Sequence, residues 1–278
     1  MPSVDQKRQL FRRLHESGCF VIPNPFSVGT ARYLQGLGFK ALASTSAGFA
    51  FSRALPDGAV PREMMLAHLR ELAEVVDVPV NADFEGGYAD HPEGVAESVR
   101  LAVATGVAGL SIEDSTAADE NPLYDFDLAV ARVRAARAAI GQSGVLLTGR
   151  SEGFIRGRPD LDETCRRLKA YAEAGADCLY SPGIRTREQI TAVVKAVAPK
   201  PVNLLIGFPS ELTVSDVAEL GVRRISVGGA LARAAWGGFN GAAKLIAEKG
   251  RFDGFAGTPG NAELNRLFVE DASRRNSS

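Results

Sequence analysis

Eight short apolar runs, with helical patterns between them, constrain this chain more than any other feature. In order they are Cys19–Pro23, Lys40–Ser44, Val78–Asp83, Gly109–Glu113, Val145–Gly149, Asp177–Ser181, Pro201–Leu205 and Arg223–Val227. The gaps carry helical spacing of apolar residues, as in Arg62–Val76, Glu93–Thr105, Leu128–Ile140, Leu161–Ala174 and Arg187–Val197. Alternation of this kind implies parallel pairing, because a helical crossover returns the chain to the same end of the sheet. Gly38, Gly106, Gly175 and Gly221 each stand where a helix must stop before the next strand, a place that favours left-handed backbone. A doubly wound open sheet is the rival. No Gly-x-Gly-x-x-Gly follows the first run, and eight similar units favour closure into a (β/α)8 TIM barrel.

Such a barrel accounts for all 278 residues as one domain, with the barrel at about 19–249 and an extra C-terminal helix and tail at 250–278. Ala230–Lys249 reads as a long helix, Asn261–Ala272 as a last one, and Ser273–Ser278 as a frayed end. Gly254, Gly257 and Gly260 would let the last helix cross to a neighbouring subunit, or serve as a plain surface connection.

Composition narrows the partners. Hydrophobic residues at 45% and charged residues at 23% are globular values, and a net charge of −1 lacks the footprint of a nucleic-acid or anionic-membrane binder. No run reaches the ~20 apolar residues needed to span a bilayer, and the charged start MPSVDQKRQLFRRLHES reads as an amphipathic helix rather than a signal peptide. Cys19, Cys165 and Cys178 follow no metal or disulfide spacing, so a reducing cytoplasm is expected.

In a barrel of this type the chemistry sits at the C-terminal ends of the strands. Those ends read Ser44-Thr45-Ser46-Ala47-Gly48, Asn81-Ala82-Asp83-Phe84-Glu85, Glu113-Asp114 and Gly149-Arg150-Ser151-Glu152; strand seven adds Asn203 and the loop after strand two adds Asp57. Carboxylates at adjacent strand ends repel unless a cation neutralises them. Mg²⁺ suits, since it takes oxygen ligands and keeps several waters, whereas zinc would want His or Cys. The competing reading is a structural ion network around Arg150. Arg150 is otherwise a planar fork for a carboxylate or phosphonate. The small residues Thr45–Gly48 offer hydroxyls and backbone N–H groups to an anion. His15, His68 and His91 lie off the strand ends and are expected at the surface; Met64, Met65, Cys178 and Trp236 are expected to pack.

On these motifs the chain resembles the isocitrate lyase and phosphoenolpyruvate mutase superfamily, from about Phe20 to Trp236. The resemblance is carried by Thr45-Ser46-Ala47-Gly48, Leu55-Pro56-Asp57, Asp83-Phe84-Glu85-Gly86-Gly87-Tyr88, Gly109-Leu110-Ser111-Ile112-Glu113-Asp114, Gly149-Arg150 and Pro201-Val202-Asn203, in that order on successive units. It implies an Mg²⁺-dependent enzyme, with Mn²⁺ as the alternative ion, that breaks or forms a bond beside a 2-oxo acid carboxylate through an enolate-like state. It also implies that Thr45, Ser46, Ala47, Arg150 and Asn203 bind the substrate, that Asp57, Asp83, Glu85 and Glu113 hold the metal, and that the chain forms a homo-oligomer, a dimer or tetramer, by exchanging C-terminal helices.

Two departures stand out. The lyase members carry a Lys-Lys-Cys-Gly-His type loop after the fourth strand, and Ser115–Tyr124 here contains no cysteine, lysine or histidine. Glu120, Asn121 and Tyr124 are then the loop residues available to face a leaving group, with Asn121 echoing an asparagine of phosphonopyruvate-handling members. Glu85 also replaces the second aspartate of an Asp-x-Asp pattern. The leading expectation is a lyase or hydrolase of a small, oxaloacetate-like 2-oxo acid. The rivals are a phosphonopyruvate-type mutase or hydrolase and a non-catalytic 2-oxo acid binding protein.

Overall fold

A computed structural model of the chain describes residues 2–116 and 118–276. Eight strands form one parallel sheet: β1 (Phe20–Ile22), β2 (Leu42–Ala43), β3 (Val80–Ala82), β4 (Gly109–Glu113), β5 (Leu146–Arg150), β6 (Cys178–Tyr180), β7 (Val202–Leu205) and β8 (Arg224–Ser226). From β2 onward each strand pairs with its successor, and β8 returns to pair with β1. The remaining seam is bridged where the Ala43 N–H donates to the Pro23 carbonyl at 3.1 Å. The result is a nearly closed (β/α)8 barrel.

Helices alternate with the strands: α1 (Val4–Leu14), α2 (Val28–Gly36), α3 (Ser46–Ser52), α4 (Arg62–Val75), α5 (Pro92–Val103), α6 (Phe126–Ile140), α7 (Leu161–Glu173), α8 (Arg187–Val197), α9 (Val214–Glu219), α10 (Ala230–Lys249) and α11 (Asn261–Asn276). Their apolar stripes bury Leu69, Val99, Val133, Leu168, Ile190 and Val217 against the outer faces of the strands in one continuous core. This is what the helical spacing in the sequence requires. α3 is additional, because Thr45 caps it by accepting the Gly48 N–H at 3.2 Å, so the small residues after β2 form a helix start rather than an open loop.

α1 closes the bottom of the barrel. Ser3 and Gln6 form a capping box that fixes its start, and Phe11, fully buried, packs with Ile22, Ala43 and Leu146. Gly109 is needed there, since a Cβ would lie 2.6 Å from both Phe11 and the Asn81 side-chain oxygen. The barrel axis above is polar: buried Arg224 donates to Asn203 Oδ1 at 2.8 Å and Thr148 Oγ1 at 3.0 Å, and meets His15 Nε2 at 3.2 Å.

Three local expectations need correction. His15 and His68 are not at the surface; His15 lies edge-on to Phe11 and Phe20, and His68 stacks on Phe49 at 3.8 Å between ring centres. Trp236 meets Phe239 but stays 40% exposed on α10, outside the core. The expected fray from Ser273 is helical through Asn276, while Ser277 and Ser278 lie outside the described residues. Arg32 of α2 donates to Asp271 of α11 at 2.8 and 2.5 Å, both side chains buried.

Candidate active site

The acids converge as the order of strand ends requires. Asp83 follows β3, where its N–H donates to Ser44 Oγ at 2.8 Å. The Ser46 N–H, at the start of α3, donates to Asp83 Oδ2 at 3.0 Å, and Ser46 Oγ lies 3.1 Å from both Asp83 and Asp57. Glu113 ends β4 and accepts from Ser115 Oγ at 2.7 Å. Arg150 ends β5 and places Nη1 3.1 Å from Asp83 and 3.1 Å from Glu113, while its Nε donates to buried Glu152.

The turn bearing Glu85 is tight. Glu85, Gly87 and Tyr88 all have positive φ, at 49°, 77° and 57°, and non-glycine residues adopt that region only when the surroundings enforce it. Enforcement comes from Arg132 of α6, fully buried, which donates to the carbonyls of Gly86 at 2.5 Å and Asp90 at 2.6 Å. The Arg132 guanidinium also lies 3.9 Å from the Tyr124 ring centre, and Tyr124 OH donates to Asp90 at 2.5 Å. One arginine thus joins the Glu85 turn to the loop after β4.

Ser46, Asp57, Glu85, Glu113, Tyr124, Arg150, Glu152 and Arg156 line one cleft of about 610 Å³. Its charge is unbalanced towards acid. Burial, then the neighbouring Asp83, Glu113 and Asp57 carboxylates, push the Glu85 carboxyl up to about 8. Burial and Asp83 likewise raise Asp57. Burial raises Glu113 against the opposing pull of Arg150. Burial alone would lower the Arg150 guanidinium, but Glu113 and Glu152 hold it well above its ordinary value and so firmly charged.

The donor set around Asp57, Asp83, Glu85 and Glu113 is all oxygen, which fits a hard divalent cation. Among the described residues, no three Asp, Glu, His or Cys side chains converge closely enough to enclose an ion. An ion bound there would have to keep much of its water, as Mg²⁺ can.

Of the other residues singled out from the sequence, Asn203 lines a small cavity with Asp83 and Arg150. Thr45 is buried as the α3 cap, and Ala47 is half-buried in its first turn. Asn203 sits on the barrel axis below the cleft, donating to Ser226 Oγ at 2.9 Å while accepting from Arg224. Asn121 lines an adjacent cavity of about 540 Å³ with Ser151 and Arg158, and Glu120 is exposed, so neither is brought to the acids in this arrangement. Arg132 and Arg156 escape a reading of strand ends alone. Arg156 was open to detection as a second arginine in the loop that begins at Arg150.

An acid-lined cleft around an arginine at the C-terminal mouth of a (β/α)8 barrel lies where enzymes of this fold carry their chemistry. The chain belongs to the phosphoenolpyruvate phosphomutase family, whose sequence model matches residues 11–247, within a superfamily of carbon–carbon lyases and mutases. It is 34% identical over 236 residues to an oxaloacetate decarboxylase of Paraburkholderia xenovorans (strain LB400), covering 79% of this chain and 74% of that one. A crystal structure from Burkholderia cenocepacia J2315, whose lyase/mutase assignment is provisional, superposes with a TM-score of 0.92 at 45% identity, covering 96% and 97% of the two chains. A phosphonopyruvate hydrolase in complex with oxalate and Mg²⁺ superposes with a TM-score of 0.84 at 26% identity, each chain covered to 97%. Among the described residues no helix is long and apolar enough to cross a membrane.

Proposed function

We propose that this chain is an Mg²⁺-dependent lyase or hydrolase that cleaves a carbon–carbon bond of a small, oxaloacetate-like 2-oxo acid, by decarboxylation or by scission beside the oxo group. The observation that carries the reading is the Arg150 guanidinium, 3.1 Å from both Asp83 and Glu113, among more carboxylates than it can neutralise. Such a site favours a ligand anion and a cation together, rather than either alone.

In this reading Asp83, Asp57, Glu85 and Glu113 hold the cation, directly or through water. Mg²⁺, or Mn²⁺ in its place, would supply Lewis acidity at the oxo group, countering the negative charge that develops there as the bond breaks. Arg150 anchors the substrate carboxylate, assisted by Ser46. Thr45 sets Ser46 by capping α3, and Asn203 supports the floor through Arg224. Tyr124, held by Arg132 and Asp90, closes one wall of the cleft and excludes water. Asn121 and Glu120 would reach the leaving group only after movement of their loop.

A second reading, cleavage of a phosphonate C–P bond, is supported by the phosphonopyruvate hydrolase likeness. The chain is further read as one domain, placed in the cytoplasm, acting on a free small molecule and assembling with copies of itself; Phe239 at 63% and Trp236 at 40% exposure on α10 give such an assembly an apolar surface. A turnover screen of oxaloacetate, 2-alkylmalates and phosphonopyruvate with Mg²⁺ or Mn²⁺ separates the readings. Release of pyruvate, oxalate or a shortened acid supports carbon–carbon cleavage, phosphate release supports the second reading, and tight binding without turnover leaves a binding protein.

A further inference from the structure

The loop beside the acidic cleft, Ser115–Tyr124, contributes the carboxylates Asp119 and Glu120 and no cation of its own. A cation reaches the cleft from the neighbouring unit instead. Arg156 stands in the loop after β5, where its N–H donates to the Glu152 carbonyl at 3.0 Å, so the same segment that carries Arg150 also fixes Arg156. Its side chain lines the same cleft as Asp57, Glu85, Glu113 and Arg150.

The Arg156 guanidinium is only loosely engaged. Its Nη2 donates to the Thr116 carbonyl at 3.2 Å and reaches the Ala118 carbonyl at 3.5 Å, while the fully exposed Asp119 side chain lies 3.8 Å away. Its Nε is buried with no acceptor among the described residues. A buried N–H without an acceptor leaves this charged group under-satisfied, and its side chain is still 30% exposed, so an anion entering the cleft can meet the accessible part of the guanidinium. Arg150, by contrast, is already shared among Asp83, Glu113 and Glu152. The cleft therefore has two arginines in unlike states, one shared among three acids and one held by long contacts to backbone carbonyls.

We propose that Arg156 reads a second anionic group on the substrate, so that the enzyme selects 2-oxo acids with a carboxylate or phosphonate tail over monoacids such as pyruvate. The inference rests on the function proposed above, in which Arg150 and the acids hold the oxo-acid head. A planar guanidinium fork matches both kinds of tail. The competing role is a clip on the Thr116 and Ala118 carbonyls, which would affect every ligand alike.

Calorimetric titration in saturating Mg²⁺ tests this with three probes: oxalate, which is head alone; 3,3-difluorooxaloacetate, with a carboxylate tail; and phosphonopyruvate, with a phosphonate tail. Arg156→Met is expected to weaken at least one tailed probe relative to oxalate by about tenfold or more, the size of one charge-assisted hydrogen bond, and Arg156→Lys to recover part of the loss. The tailed probe with the larger loss identifies the group that is read. A uniform loss across all three probes, or no loss, overturns the inference while leaving the proposed function standing. Wild-type protein that binds none of the three overturns both.

Discussion

Arg150 of β5 donates to Asp83, at the end of β3, across 3.1 Å, so that a side chain from one strand spans β4 to reach the next strand but one. The contact joins two strand ends that flank β4 at the mouth of the barrel, where the site assembles.

Removing that arginine should harm both stability and binding. Arg150→Ala leaves Glu152, 2% exposed, without its cation, and breaking a buried pair in this way costs about 3–5 kcal/mol. Arg150→Lys keeps the charge but cannot serve Asp83, Glu113 and Glu152 from one planar fork, so it should fold better than the alanine variant yet bind oxalate about tenfold or more weakly than wild type. Urea denaturation paired with oxalate titration measures the two effects; an alanine variant matching wild type in both would contradict the role.

The buried histidines should shape the acid limb of stability. Burial holds His68 down to about 4, with Nε2 lacking a partner, and burial with Arg224 nearby holds His15 down to about 3. An unfolded histidine takes its proton near 6.5, so between about 6.5 and 4 the unfolded chain binds more protons and stability falls as pH falls. His68→Phe removes one such site. The melting temperature of this variant relative to wild type should be higher at pH 5 than at pH 7, and an identical difference at both pH values would show that His68 is not held neutral.

The C-terminal helix should depend on one ion pair. Asp271→Ala strips the buried Arg32 of its bidentate partner and should release α11, raising hydrogen exchange across 261–276 and speeding proteolysis near 250–260. Unchanged exchange would mean that the apolar contacts of Phe268 and its neighbours hold the helix by themselves.

How much of this was legible in the sequence varies by level. All eight strands fall where short apolar runs stood between helical patterns, because each strand turns apolar residues to the helices that cover its outer face. Asp57, Asp83, Glu85 and Glu113 were legible because strand ends in a barrel share one mouth. Asn203 falls on the expected strand and lines a small cavity with Asp83 and Arg150, but sequence order does not say that Arg224 and Ser226 also bond it on the axis. His15 lay hidden because its burial depends on how α1 docks beneath the barrel. Asn121 and Glu120 stand on a loop whose path is set by Arg156 and Arg132, two side chains from other elements, and no local pattern announces such long-range ties.

In the proposed function the acids hold a divalent cation against an oxo acid. Titrating oxalate into wild type and Asp83→Asn, each with and without Mg²⁺, tests it most directly. Wild type is expected to bind oxalate only with Mg²⁺, and Asp83→Asn to weaken this joint binding at least about tenfold while keeping its fold by circular dichroism. Oxalate binding of equal strength with and without Mg²⁺, untouched by Asp83→Asn, would contradict it.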